Sequence, residues 1–65
     1  MITVVNMNRF NNTVDMISLS SDIKPTEKFE FKGVKYTITN GSTLYEMDTR
    51  KAYMYDEENH QWYDV

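Results

Sequence analysis

The side chains with chemistry to offer are few and scattered. Glu46 and Asp48 stand two apart and can project together from one strand face. A hydrolytic carboxylate pair needs a cleft between its members and one pKa raised by burial. A chain of 65 residues leaves little room for such a cleft, so the two acids read as a solvated face. Asp56-Glu57-Glu58-Asn59 places oxygen ligands in a row, but it lacks the ligand spacing and glycine of a calcium loop and reads as a turn. His60 is the single histidine and has no nucleophile beside it. There is no cysteine, hence no disulfide and no Cys/His zinc set. No nucleophile–base pair and no metal set emerges, so the expectation is a non-enzyme with no cofactor and no metal.

The rings are the stronger signal. Tyr45, Tyr53, Tyr55, Trp62 and Tyr63 all lie in the C-terminal third of the chain. Tyrosine and tryptophan are rigid and amphipathic, and they are enriched where proteins meet. On neighbouring strands they also pair across the sheet and hold it together. Strand alternation puts Tyr53 and Tyr55 on one face and Ala52 and Met54 on the other, with Trp62 and Tyr63 on opposite faces. Both faces therefore carry large rings, and one small sheet buries only one face by itself. These five residues are the candidate protein interface. The same rings, with nearby Asp and Asn, also suit stacking on a sugar.

The elements that must position them are strands. Ile2, Val4 and Val5 suit a short β segment over residues 1–7. Asn8 to Asn12 reads as a turn or loop. For Thr13 to Leu19 the patterns compete. Phe10, Val14 and Ile17 fall at helical spacing, Ile17 and Leu19 alternate, and the extended reading is favoured. Residues 20–26 form a connector in which Pro25 forbids a central strand. Phe29-Glu30-Phe31, the turn Lys32-Gly33, and Val34 to Ile38 read as a hairpin, with Val34, Tyr36 and Ile38 on one face. Lys28, Lys32 and Lys35 interleave with Glu27 and Glu30 as a mixed, solvated face. Asn40-Gly41 is a strong type I′ hairpin signal leading into Thr43–Met47. Asp48 to Lys51 is a polar turn, Ala52–Tyr55 a strand, 56–59 an acidic turn and Gln61–Val65 the closing strand. The expected fold is mostly β, a small antiparallel β-meander of four to five strands. It forms one domain, with residues 1–26 as N-terminal arm and connector and 27–65 as the meander.

Charge and size narrow the partners. The net charge is −3 with no Lys/Arg cluster, which disfavours nucleic acid. No apolar run reaches the roughly 20 residues that span a bilayer, and the N-terminus lacks a basic region and long apolar core, so no membrane partner and no secretion signal are expected. A chain this short folds near the limit of stability, at about 1.5 kcal/mol of ordering entropy per residue against about 25 cal/mol per Å² of apolar burial. With no covalent or metallic staple, a homo-oligomer or docking onto a larger assembly is the expected completion.

One stretch is more specific. From Gly41 the chain runs G-S-T-L-Y-E-M-D-T-R-K-A-Y-M-Y-D-E-E-N, followed by Trp62, after an upstream Leu19-Ser20-Ser21-Asp22-Ile23-Lys24-Pro25-Thr26. Residues 18–65 resemble small virion structural proteins of tailed bacteriophages that infect Gram-positive bacteria. Their pattern is roughly G-S-x-L-x-E-M-D-T-x-K-x-Y-M-Y-D-E-E-N-x-x-W. The resemblance implies a head decoration, head fibre or tail appendage component, made in the bacterial host cytoplasm and residing in the virion, whose partners are capsid or tail proteins. Two alternatives belong to other classes. One is a phage-encoded acidic inhibitor of a host defence or regulatory protein, using Glu46, Asp48, Asp56, Glu57, Glu58 and Asp64. The other is a carbohydrate-binding virion module.

Overall fold

The computed structural model describes residues 1–65, and every regular element in it is a strand. Seven strands follow in order: β1 (Thr3–Asn8), β2 (Thr13–Ser18), β3 (Lys28–Phe31), β4 (Val34–Thr37), β5 (Thr43–Glu46), β6 (Lys51–Asp56) and β7 (Gln61–Asp64). The mostly β fold stands, while the arrangement differs from a simple meander. Five strands make one sheet in the order β1-β2-β5-β6-β7, and β3-β4 form a separate two-stranded hairpin.

The difference traces to residues 13–18. This stretch is extended, with alternate side chains Val14, Met16 and Ser18 fully buried. A strand with such a face belongs inside a sheet, so residues 1–18 are two strands of the sheet instead of an arm beside it. β2 pairs in parallel with β5, Met16 opposite Leu44 and Ser18 opposite Glu46. A parallel pair needs a crossover of a dozen or more residues, and residues 19–42 supply it. The β3-β4 hairpin lies within that crossover. It leaves the sheet plane and lays Phe29, Tyr36 and the buried Ile38 over the sheet's inner side chains, Ile2, Val14, Met16, Leu44 and Tyr55.

The turns obey local chemistry, with one exception. Lys32 and Gly33 have φ of 52° and 79°, the left-handed pair that a type I′ turn requires. Asn40-Gly41 does not make the expected hairpin. Ser42 N donates to Thr39 O at 3.1 Å, and only Gly41, at φ 87°, is left-handed. That is a type II turn, which needs glycine at its third position. It redirects the chain from the hairpin into β5, because β4 already has β3 as its partner and β5 takes β2 and β6.

The other three hairpins share one device. Residues 9–12, 47–50 and 57–60 are loops of four residues, and each ends in a left-handed residue, Asn12, Arg50 or His60. The first and last are also capped by the side chain just before the loop. Asn8 Oδ1 accepts from Phe10 N and Asn11 N, and Asp56 Oδ1 accepts from Glu58 N. β1 carries a bulge between Val4 and Asn6, which irregularises one open edge of the sheet.

Candidate functional site

Cross-strand partners share a face, so the register sorts the rings. Leu44 opposes Tyr53, and Tyr55 opposes Trp62, which places these on the inner face. Ile17 opposes Tyr45, Tyr45 opposes Ala52, and Thr43 opposes Met54, which opposes Tyr63, all on the outer face. The five rings read as one interface in the sequence therefore divide into three and two.

The inner three are occupied within the chain. Tyr55 is 3% exposed, its ring tilted against Trp62 at 5.0 Å between centroids. Its hydroxyl meets His60 Nδ1 at 3.3 Å, and burial raises its pKa. Trp62 is half-buried, and its Nε1 donates to Pro25 O at 2.8 Å. Lys24 Nζ sits over the Tyr53 ring at 4.4 Å. Each of these contacts ties the crossover down onto the sheet or closes the last hairpin.

The outer pair have no such partners. Tyr45 is 41% and Tyr63 47% exposed, with Met54 at 45% between their strands. Ile17, Ala52 and Val65, whose N–H donates to Ala52 O, extend the patch along the same face. Asp15 borders it, accepting from Thr43 Oγ1 at 2.7 Å and from the Asn6 amide at 3.4 Å. No element of the chain covers this face; the hairpin lies on the other side. Residues such as Ile17 and Met54 were not candidates in the sequence, although period-two alternation with Tyr45 and Tyr63 carried the signal.

The acids that opened the search have structural posts. Glu46 is not solvated as expected. It is buried, Lys24 Nζ donates to its Oε2 at 2.6 Å, and Thr49 Oγ1 donates to its Oε1 at 2.7 Å. The Lys24 ammonium, reaching over from the crossover, is what makes that burial tolerable. It holds the Glu46 carboxyl below its ordinary value. Asp48 accepts from Ser20 Oγ and, at 2.9 Å, from Ser20 N, which lowers its pKa as well. Asp22 caps Leu19 N at 2.9 Å, pairs with the Met1 ammonium at 2.9 Å and is lowered in turn, chiefly by the Leu19 bond. Three ionised carboxylates thus pin residues 19–24 at one end of the sheet. At the other end Thr39 Oγ1 donates to Asn12 O, and Asn40 and Glu57 exchange hydrogen bonds. The acidic turn expected at 56–59 lies one residue later, at 57–60, with Asp56 ending β6, and no cluster of three His, Cys, Asp or Glu side chains gathers anywhere.

Compared with protein-family models, curated proteins and solved structures, the chain matches none.

Proposed function

We propose that the protein is a structural component of a tailed-phage particle that docks its outer sheet face on a capsid or tail protein. The observation that carries this is the unequal treatment of the two faces. Tyr53, Tyr55 and Trp62 are engaged within the chain, while Tyr45, Met54 and Tyr63 stand in solvent as one patch. Rigid rings around a flexible methionine are the composition of an interface centre, and their rotamer cost on binding is small. The phage assignment itself rests on the resemblance of residues 18–65. Many identical sites on a particle surface give a small module the high local concentration that keeps it bound.

An inhibitor that imitates nucleic acid presents rows of free carboxylates. Here Glu46 and Asp48, two of the six acids available for that role, are bound to Lys24 and Ser20, which favours the structural reading. The test is protein analysis of purified particles. High copy number is expected, and absence from particles would end the proposal. A second arm replaces Tyr45 and Tyr63 by serine. Occupancy should drop while the melting temperature stays put; unchanged occupancy would remove the outer face as the contact.

A further inference from the structure

We propose that Asn40 is a deamidation site which the fold holds closed, so that its conversion to isoaspartate happens in the opened chain and then prevents refolding. This chemistry is independent of outer-face docking.

Asparagine loses its amide when the peptide nitrogen of the following residue attacks the side-chain carbonyl carbon. The new N–Cγ bond closes a succinimide, and the peptide proton leaves with the amide nitrogen as ammonia. Water then opens the ring at either carbonyl. One opening gives aspartate, and the other gives isoaspartate, in which the main chain runs through the side-chain carbon. A side chain on the following residue hinders the attack, and glycine has none. The other asparagines precede Met7, Arg9, Asn12, Thr13 and His60. Asn40 precedes Gly41, and it is exposed.

The folded chain withholds both reacting groups. Gly41 N, the attacking atom, donates to Tyr55 O at 3.1 Å, and Tyr55 N donates to Ser42 O at 2.9 Å. Gly41 and Ser42 are thereby stitched to β6, at a residue that is itself 3% exposed. The Asn40 side chain is held by the loop after β6. Its Oδ1 accepts from Glu57 N, while Asn40 N donates to Glu57 Oε1 at 3.2 Å. Ser42 N and Thr39 O close the turn around the pair, with Gly41 at φ 87°. Attack therefore requires Gly41 N to leave Tyr55 O and this end of β5 to open. Exposure offers Asn40 to water, and these bonds reserve its reaction for the opened state.

The isoaspartate product does not fit back. It puts an extra backbone atom into the tight turn between Thr39 and Ser42 and carries Gly41 N away from Tyr55 O. That turn is where the crossover re-enters the sheet at β5. Either product also adds a negative charge beside Glu57, in a chain already at −3.

Intact mass and peptide mapping test this on the full chain, aged in mildly alkaline buffer with and without unfolding concentrations of guanidinium chloride. Asn40 should convert roughly tenfold or more faster in denaturant than in the native chain. Asn40→Gln should abolish that early mass gain in denaturant, where its own folding is irrelevant. Hydrogen exchange of the native chain should find the Gly41 amide protected by a similar factor. The isoaspartate chain, separated and returned to buffer, should fail to recover native Trp62 fluorescence, whereas fresh chain unfolded and refolded alongside recovers it. Equal conversion rates in the two conditions, an unprotected Gly41 amide, conversion at another asparagine ahead of Asn40, or an isoaspartate chain that refolds would each overturn the proposal.

Discussion

Adjacent positions Leu44 and Tyr45 occupy the same strand and differ only in which way they point. Leu44 is 1% exposed, enclosed by the strands on either side and by the core beneath the hairpin. Tyr45 faces outward beside Ile17 and Ala52 with nothing over it. The inner face has been completed by the chain's own crossover, whose hairpin and connector act as a lid. The outer face has been left incomplete. The same composition of rings thus does two jobs, and the divide between them is the period-two alternation of β5, β6 and β7.

The sharpest way to break this contrast is to truncate both neighbours in turn. Leu44→Ala should cost about 2–5 kcal/mol, enough to unfold much of the population in a domain this small. Tyr45→Ala should change stability by no more than about 0.5 kcal/mol. Thermal melts of the two variants decide the matter, and equal losses would mean that the outer face is also core. Trp62→Phe comes next. It keeps a ring against Tyr55 but removes the donor to Pro25 O, and a loss of about 1–2 kcal/mol in urea titration is expected. A loss near zero would show that the connector is not anchored there.

Acid probes the same lid by a different route. Asp22, Glu46 and Asp48 all have pKa values lowered in the folded state from ordinary values of 3.8, 4.5 and 3.8. Their contribution is present in full above those ordinary values and disappears as pH falls through them toward the lowered folded values. Trp62 fluorescence, reading the Pro25 contact, should shift in that window, and earlier for Glu46→Gln. A Trp62 signal flat through the window would contradict the role given to the carboxylates. The one expected gain is smaller than the losses at Leu44 and Trp62. Arg50 sits left-handed at φ 60°, a conformation that strains any residue with a Cβ. Arg50→Gly should stabilise by up to about 1 kcal/mol, measured by the same urea titration, without altering either face.

The alternation of Phe29 to Ile38, the Lys32-Gly33 turn and the opposite orientations of Trp62 and Tyr63 were legible in the sequence, because each is decided by neighbours in the chain. So was the β character of the whole. The parallel pairing of β2 with β5 was not. Alternation says which side of a strand is buried and is silent on which strand lies next to it. Asn40-Gly41 misled for the same reason: a turn signal fixes a bend, while the partner of β5 was chosen by the buried stripe Val14-Met16-Ser18. Of the candidate site, the ring inventory was readable, and its division into engaged and free members was not. That division depends on where Lys24 and Pro25 land, which a connector's sequence does not encode locally.

The crossover also has a kinetic meaning. β1-β2 and β5-β6-β7 are each stitched by short loops, whereas Asp15 and Thr43 are 28 positions apart when they meet. Closing that span costs chain entropy before any contact repays it. The ladder between β2 and β5 is therefore expected to form last, after two locally assembled halves. A φ-value near one at Thr43, measured through Thr43→Ala, would reverse that order.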